Sequence, residues 1–437
     1  MIELLAWTLA GCLAACVVGL VPALHIYNVA GLLLLFTATG HLDLPPEPMV
    51  YLFIGLITGY AMVNTIPSVF LAAPDESMVF VVLPGQKYML QGRGYEAVVL
   101  TGLGGLGGLI VLFALTPVAS SWLPVIRAIL QPHLGWIIWT VIAYMLLSEW
   151  PKGTGRDRAG WRRWWDGWRS LMAGLVTFLL SGVMGLVLMY RSPVRLEVAY
   201  QNLMPAFVGL FAVPWIIQNL LARVELPRQH VARDIDAPWP VLTQGSLAGA
   251  LGGIFAAFFP VVTGGIGGFL AGHATAQRDE RAFIIAQGAS KLTYYVGGFL
   301  LFFVPGLHLT RGGMAWMAST RYTAYTPTDY YRATAAALLA GVTSFLISLR
   351  LAQAFVALSR RISYRTVSWI TLGVVLIVVA GVTGLPGLGI CAVATGIGLI
   401  PVLWGARRMN GMGVLLLPIA LNMSGVGDRV AALLGLL

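Results

Sequence analysis

The chain has 437 residues, of which 58% are hydrophobic and only 10% charged, and its formal net charge is +10. A soluble domain carries roughly 25% charged residues, and a mean hydropathy of +0.83 leaves more apolar surface than a core could hide from water, so the composition excludes a soluble globular protein and makes lipid the solvent. The cations gather in short segments between apolar runs, as the positive-inside rule requires, which argues against nucleic acid as a partner.

The start, Met1-Ile2-Glu3, lacks the basic region of a cleavable signal peptide, so residues 1–39 read as mature structure. A helix needs about 20 apolar residues to cross the hydrocarbon. Full-length spans are predicted at 48–72, 96–117, 133–149, 170–190, 203–221, 283–305, 333–354, 367–384, 386–404 and 413–436. Two further apolar stretches, 4–39 and 243–273, are each too long for one span and too short for two, and each breaks near its middle at a proline, Pro22 and Pro260. Cys12, Cys16 and Cys391 all lie in apolar runs with no CxxC or Cys/His spacing, so neither a metal site nor a disulfide framework is expected.

Lys and Arg counts set the orientation. Segment 150–169 carries Lys152, Arg156, Arg158, Arg162, Arg163 and Arg169, interleaved with Trp161, Trp164, Trp165 and Trp168, and reads as a cytoplasmic interfacial segment. Counting spans outward places 222–242 and 355–366, both rich in Arg, on the same side, together with 85–95 and 274–282, and it places 40–47 outside. Stretch 243–273 then starts and ends in the cytoplasm and stretch 4–39 starts and ends outside, as two re-entrant hairpins of opposite entry. LAGCLAACVVGLVP (9–22) aligns without gaps on LAGALGGIFAAFFP (247–260), with both prolines in register. The predicted fold is an all-α integral membrane protein of about 10 spans plus two oppositely oriented hairpins, with a first repeat at 1–221 and an inverted second repeat at 222–437. Broken helices meeting near the midplane of such a repeat are a signature of secondary transporters.

The breaks nominate the site. After Pro22 come His25 and Asn28, and after Pro260 come Thr263, Gly264 and Gly265. Half-helix N-termini offer backbone N–H groups to an anion, and the glycines would let it approach; the competing reading is that they only let helices pack closely. A lone His more often serves as a hydrogen-bonding group than as a titrating one. A third break, Asn64-Thr65-Ile66-Pro67-Ser68, could line a substrate path or could re-satisfy carbonyls freed by Pro67. Ser290 and Lys291 lie inside an apolar span, where a cation is expensive and usually functional, unless it snorkels to the interface. The Gly-rich TGLGGLGGLI (101–110) reads as close helix packing; GxxxxGK[ST], GxSxG and HExxH are all absent.

The stretch 66–108, with Pro67, Pro74, Pro84-Gly85, Gly92-Arg93-Gly94, Ala97 and the glycine run behind them, resembles the permease subunit of the tripartite tricarboxylate transporter family (TctA type). GLVPALHIYN (19–28) and GALGGIFAAFFPVVTGGIGG (249–268) resemble that family's two hairpin tips, and the likeness is closest to archaeal members. The family's glycine after each tip proline is replaced by Ala23 and Val261. The resemblance implies an inverted-repeat transporter working by an elevator motion on a di- or tricarboxylate, with a small membrane subunit and an extracytoplasmic binding protein as partners.

The expectation is a secondary transporter of small organic anions, in the plasma membrane, coupled to Na⁺ or H⁺, without catalytic residues, resident cofactor or metal. A homodimer is among the assemblies this architecture permits. The rivals are a flippase for polyprenyl-phosphate-type lipids, which a lipid-facing portal would favour, and an intramembrane lipid enzyme, which would need more converging acid and base groups than the spans supply.

Overall fold

Hydrocarbon offers a peptide group no hydrogen-bond partner, so a membrane-spanning backbone must satisfy itself. Accordingly, the computed structural model contains helices and no strand among the described residues. These are residues 2–22, 24–71, 73, 77–78, 80, 82–151, 160–194, 202–222, 227–324 and 326–437. Ala23, Pro74, Lys152, Arg156 and Arg158, which figure in the sequence argument, lie outside them.

In chain order the helices are α1 (Ile2–Val18), α2 (Ile26–Ala38), α3 (Pro46–Val63), α4 (Thr65–Phe70), α5 (Val82–Leu90), α6 (Gly94–Leu130), α7 (Leu134–Leu147), α8 (Trp161–Tyr190), α9 (Leu203–Phe207) and α10 (Val213–Ala222). They continue with α11 (Trp239–Phe258), α12 (Gly264–Ala274), α13 (Glu280–Leu292), α14 (Gly298–Leu300), α15 (Gly313–Ser319), α16 (Pro327–Ser359), α17 (Tyr364–Trp404), α18 (Gly413–Met423) and α19 (Gly427–Leu433). Short π-helical turns join α9 to α10 and α13 to α14. Among the described residues seven helical runs are long and apolar enough to cross a membrane, or eight if the bent pair ending in α19 is counted as one.

Several predicted boundaries are met and others shift for visible reasons. The spans predicted at 367–384 and 386–404 form α17, which breaks at Gly384, where φ is 68°. The predicted span 283–305 is not one regular helix: α13 passes into a π-turn at Thr293–Gly297, and α14 stops at Leu300. The predicted span 413–436 is likewise not straight, because the chain bends by 115° between α18 and α19, where Gly425 takes a φ of 70°. Trp161, Trp164, Trp165 and Trp168 do not form a separate interfacial segment but begin α8 itself. Exposed tryptophans at the starts of α8 and α11 and at the end of α17 match the aromatic belts of membrane–water interfaces.

The chain packs as two discontinuous units, Met1–Leu130 with Ala222–Thr371, and Gln131–Leu221 with Leu372–Leu437. In the second unit α8 packs on α18, and the buried Glu149 carboxylate accepts hydrogen bonds from the Arg407 N–H at 2.7 Å and the Asn410 amide at 3.3 Å. In the first unit, α1 packs chiefly on α3 and α11 on α13. A Cβ on Gly11 would fall on the Leu52 carbonyl, and one on Gly249 on the Ala286 carbonyl, so both crossings depend on glycine. The glycine run of α6 serves the close packing expected of it, since a Cβ on Gly104 would strike the Ile285 carbonyl of α13.

Both broken stretches are helix–break–helix. Helices α11 and α12 fold back on one another so closely that Gly252 and Gly267 each face the other's carbonyl, whereas α2 packs on α15 and α3. At the α11–α12 turn Val261 has a φ of 54°. A β-branched residue there is an outlier costing roughly 1–2 kcal/mol, at the position where the resembled family carries glycine. Helix α13 is capped by Asp279, whose carboxylate accepts from the Arg281 N–H and guanidinium, each at 2.8 Å. The side-chain bond from Arg281 is the largest cause holding the Asp279 carboxyl below its ordinary range.

Val261→Gly should leave thermal stability unchanged or higher, because relief of about 1–2 kcal/mol of backbone strain offsets the lost side chain, while Val262→Ala, at a fully buried neighbour, should destabilise by about 1–2 kcal/mol; equal losses in the two melting curves would contradict the strain assignment. A carboxylate with a lowered folded pKa adds stability above its ordinary pKa, near 3.9, and loses it as pH falls through the folded value. Asp279→Ala should therefore cost about 1 kcal/mol at neutral pH, and its difference from wild type should shrink below about pH 4; a gap independent of pH would show that the capping carboxylate is not the cause.

Candidate functional site

Helix breaks expose backbone groups that something must answer. In the first unit three breaks converge: the α1–α2 turn, the α3–α4 kink at Asn64, and the α11–α12 turn. Asn64 ends α3, and Pro67, three residues on, has no N–H to continue the ladder. The Ser68 hydroxyl bonds back to the Asn64 carbonyl at 2.8 Å, so Ser68 serves the kinked backbone. Thr65 is buried beside it.

Lys291 lies on α13, fully buried, with its Nζ donating to Asn64 Oδ1 at 3.0 Å and standing 5.8 Å from the centre of the Tyr60 ring. Snorkelling is thereby closed to it, since its ammonium points into the protein. Next to it on the helix, the Ser290 hydroxyl donates to the Gly264 carbonyl at 2.6 Å, tying α13 to the first residue of α12. The fit is close: a Cβ on Gly264 would come within 3.0 Å of the Lys291 Cα. Thr263 is the N-cap position of α12, and its carbonyl accepts the Gly267 N–H at 2.9 Å.

His25 is the N-cap of α2. Its Nδ1 accepts the Tyr27 N–H at 3.2 Å, so Nε2 carries the proton and donates to the Tyr295 hydroxyl at 3.0 Å. Tyr295 sits on the π-turn that follows α13, and its ring centre lies 6.1 Å from that of Tyr60. The aromatic group of His25, Tyr27, Tyr60 and Tyr295 thus joins the α2 N-terminus to Asn64 and Lys291.

Of the residues predicted from sequence, the structure brings together His25, Asn64, Gly264, Ser290 and Lys291, with Thr263 at the adjoining cap. Asn28, one turn into α2, is buried; Pro22 is buried and Pro260 half-buried on the two turns. Gly265 faces away from Lys291, toward the Ser77 carbonyl and Phe80. Sequence reasoning missed Tyr60 and Tyr295, although LTYYVGG directly follows Lys291. It also missed Arg311, whose Nε donates to the Ala257 carbonyl at 3.1 Å and whose Nη2 bonds to the Phe259 carbonyl. This cation answers the carbonyls at the broken C-terminus of α11. No local signal marks it, since the bonds span more than fifty residues of chain.

Chemically, the cluster offers one fixed cation, two half-helix N-termini and several hydroxyl donors. Among its described residues there is no pair of carboxylates and no nucleophile–base pair. No solved structure matches the chain. An uncharacterized protein of Methanocaldococcus jannaschii is 27% identical over 312 residues, 71% of each chain. The family model of the tripartite tricarboxylate transporter TctA family matches residues 5–413. Covering nearly the whole chain, broken helices and cluster included, that match establishes that the chain belongs to the tripartite tricarboxylate transporter TctA family, and so is a multi-pass membrane transporter of tricarboxylate type.

Proposed function

We propose that the chain carries small organic anions, di- and tricarboxylates, across the plasma membrane by alternating access, with the anion bound between the N-termini of α2 and α12 against Lys291. The observation that carries this reading is Lys291 itself, fully buried and held by Asn64 where three helix breaks meet. Burying an ammonium costs several kcal/mol and is weak as a stabilising device, so a cation kept there serves a ligand. Half-helix N-termini add about half an elementary charge each. Pro22, His25, Asn28, Asn64, Thr65, Ser68, Pro260, Thr263, Gly264, Gly265 and Ser290 form the surrounding shell in this reading, and Na⁺ or H⁺ supplies the driving gradient. A small membrane subunit and an extracytoplasmic binding protein are the partners that a tripartite system brings.

An inverted repeat of 1–221 and 222–437 is part of the proposal. Supporting it, each half supplies helix–break–helix followed by a third helix on which the first packs, and each compact unit draws one segment from each half.

Lys291→Ala should cut uptake of labelled citrate or succinate into proteoliposomes at least tenfold, the loss of one hydrogen bond from a charged group being worth about 1.5–3 kcal/mol. Lys291→Arg should restore little, because a planar fork does not replace a compact ammonium. The melting temperature should hold in both; uptake at the wild-type rate by Lys291→Ala would remove the fixed-cation role. Single cysteines at His41 and Trp161 in a Cys-free background should react with an impermeant maleimide from opposite membrane faces. Labelling of both from one face would break the inverted-repeat topology.

A further inference from the structure

Lys291 and Gln287 stand four residues apart on α13, so they present to the same side one turn from each other. Helix α12 runs along that side with a glycine at each level: a Cβ on Gly264 would meet the Lys291 Cα at 3.0 Å, one on Gly268 the Gln287 Nε2 at 2.7 Å, and one on Gly272 the Phe283 ring at 3.5 Å. Gln287 is 0% exposed, and among the described residues neither its Nε2 nor its Oε1 has a hydrogen-bond partner. An amide held this way loses the hydration of both a donor and an acceptor and regains neither. Methionine would fill the same volume without that cost, so the packing alone does not account for the residue.

We infer that Gln287 is a specificity-determining residue of the Lys291 site, and that it contacts, through both atoms of its amide, a group of the bound anion that itself donates and accepts a hydrogen bond. The inference rests on the carboxylate reading given above. Among the described residues the Lys291 ammonium, the N–H groups of the α12 first turn and the hydroxyl of Tyr295 are donors toward an anion, and Asn64 Oδ1 already accepts from Lys291. A fully ionised carboxylate accepts only, and would leave Gln287 Oε1 unanswered. A group that pairs with both amide atoms is a protonated carboxyl or a hydroxyl, and it must lie one helical turn, about 5–6 Å, from the ionised carboxylate at Lys291. The substrate class is thus an anion with one ionised carboxylate and, a few bonds away, a second oxygen group that still carries a proton.

The test uses the full-length chain in nanodiscs and three probes, each with one free carboxylate. Succinamate ends in a primary amide, which donates and accepts as a protonated carboxyl does; 4-hydroxybutyrate ends in a hydroxyl; monomethyl succinate ends in an ester that only accepts. Wild type should bind succinamate or 4-hydroxybutyrate about tenfold more tightly than monomethyl succinate, the worth of one well-made hydrogen bond, and the better of the two identifies the group. Gln287→Met should erase that preference while leaving the ligand-free melting temperature unchanged or raised. Gly268→Ala should erase it too, because the new Cβ would displace the Gln287 amide without altering any polar group. Absence of the preference in wild type, or its survival in both variants, would overturn the assignment of Gln287. Citrate and succinate binding to wild type is the control: if neither binds, it is the carboxylate reading that falls.

Discussion

A helix that stops inside a membrane leaves backbone carbonyls and N–H groups where lipid cannot answer them, and the architecture of the first unit is organised by that constraint. Side chains close several of these breaks. Arg311 takes the carbonyls at the end of α11, Ser290 the Gly264 carbonyl, and Ser68 the Asn64 carbonyl. His25 caps α2 through its own ring. With these carbonyls closed, the groups that the described breaks leave at the centre include helix N–H donors and the Lys291 ammonium. The same chemistry that makes the breaks tolerable therefore gathers helix N-termini and a cation at their meeting point.

The glycine-lined crossings determine how rigidly that point is held. Where α11 meets α13 at Gly249 and α6 meets α13 at Gly104, backbone lies against backbone. Helix α13 is thus fixed on two sides, and Lys291 on it is fixed with it. On its third side lies α12, which is also lined by glycine, but there the opposing residues are Lys291 and Gln287. The contrast is between crossings of backbone on backbone and one that carries, at Gln287, an amide with no hydrogen-bond partner among the described residues. Stability alone would select the former everywhere, and in the reading proposed above the polar crossing is the face that serves the ligand.

The two broken stretches resemble one another in order and differ in packing. The second folds back tightly at Gly252 and Gly267, and its turn carries Val261 in a backbone conformation that suits glycine. The first sends α2 toward α15, where Tyr27 lies against Gly312 and Gly313. A residue held in strain at such a turn persists only where its surroundings over-determine it, and here the α11–α12 contact and the Arg311 clamp supply that constraint.

Composition by itself determined that the chain lives in lipid, and hydropathy determined most helix positions, because partitioning of apolar residues is additive along the chain and needs no knowledge of neighbours. The breaks at Pro22 and Pro260, the separation of two helices at Gly384 and the close packing of the 101–110 glycine run were legible for the same reason: proline and glycine act on the backbone locally. Lys291 stood out because a cation in an apolar run is conspicuous wherever it ends up. Its pairing with Asn64, 227 residues away, and that of His25 with Tyr295, 270 residues away, were decided only by tertiary structure. The bend that divides 413–436 and the π-turn that shortens 283–305 were decided there as well. Which helix faces which, and hence which polar group answers which break, depends on the crossing of surfaces contributed by distant segments, and no local pattern of hydropathy encodes that.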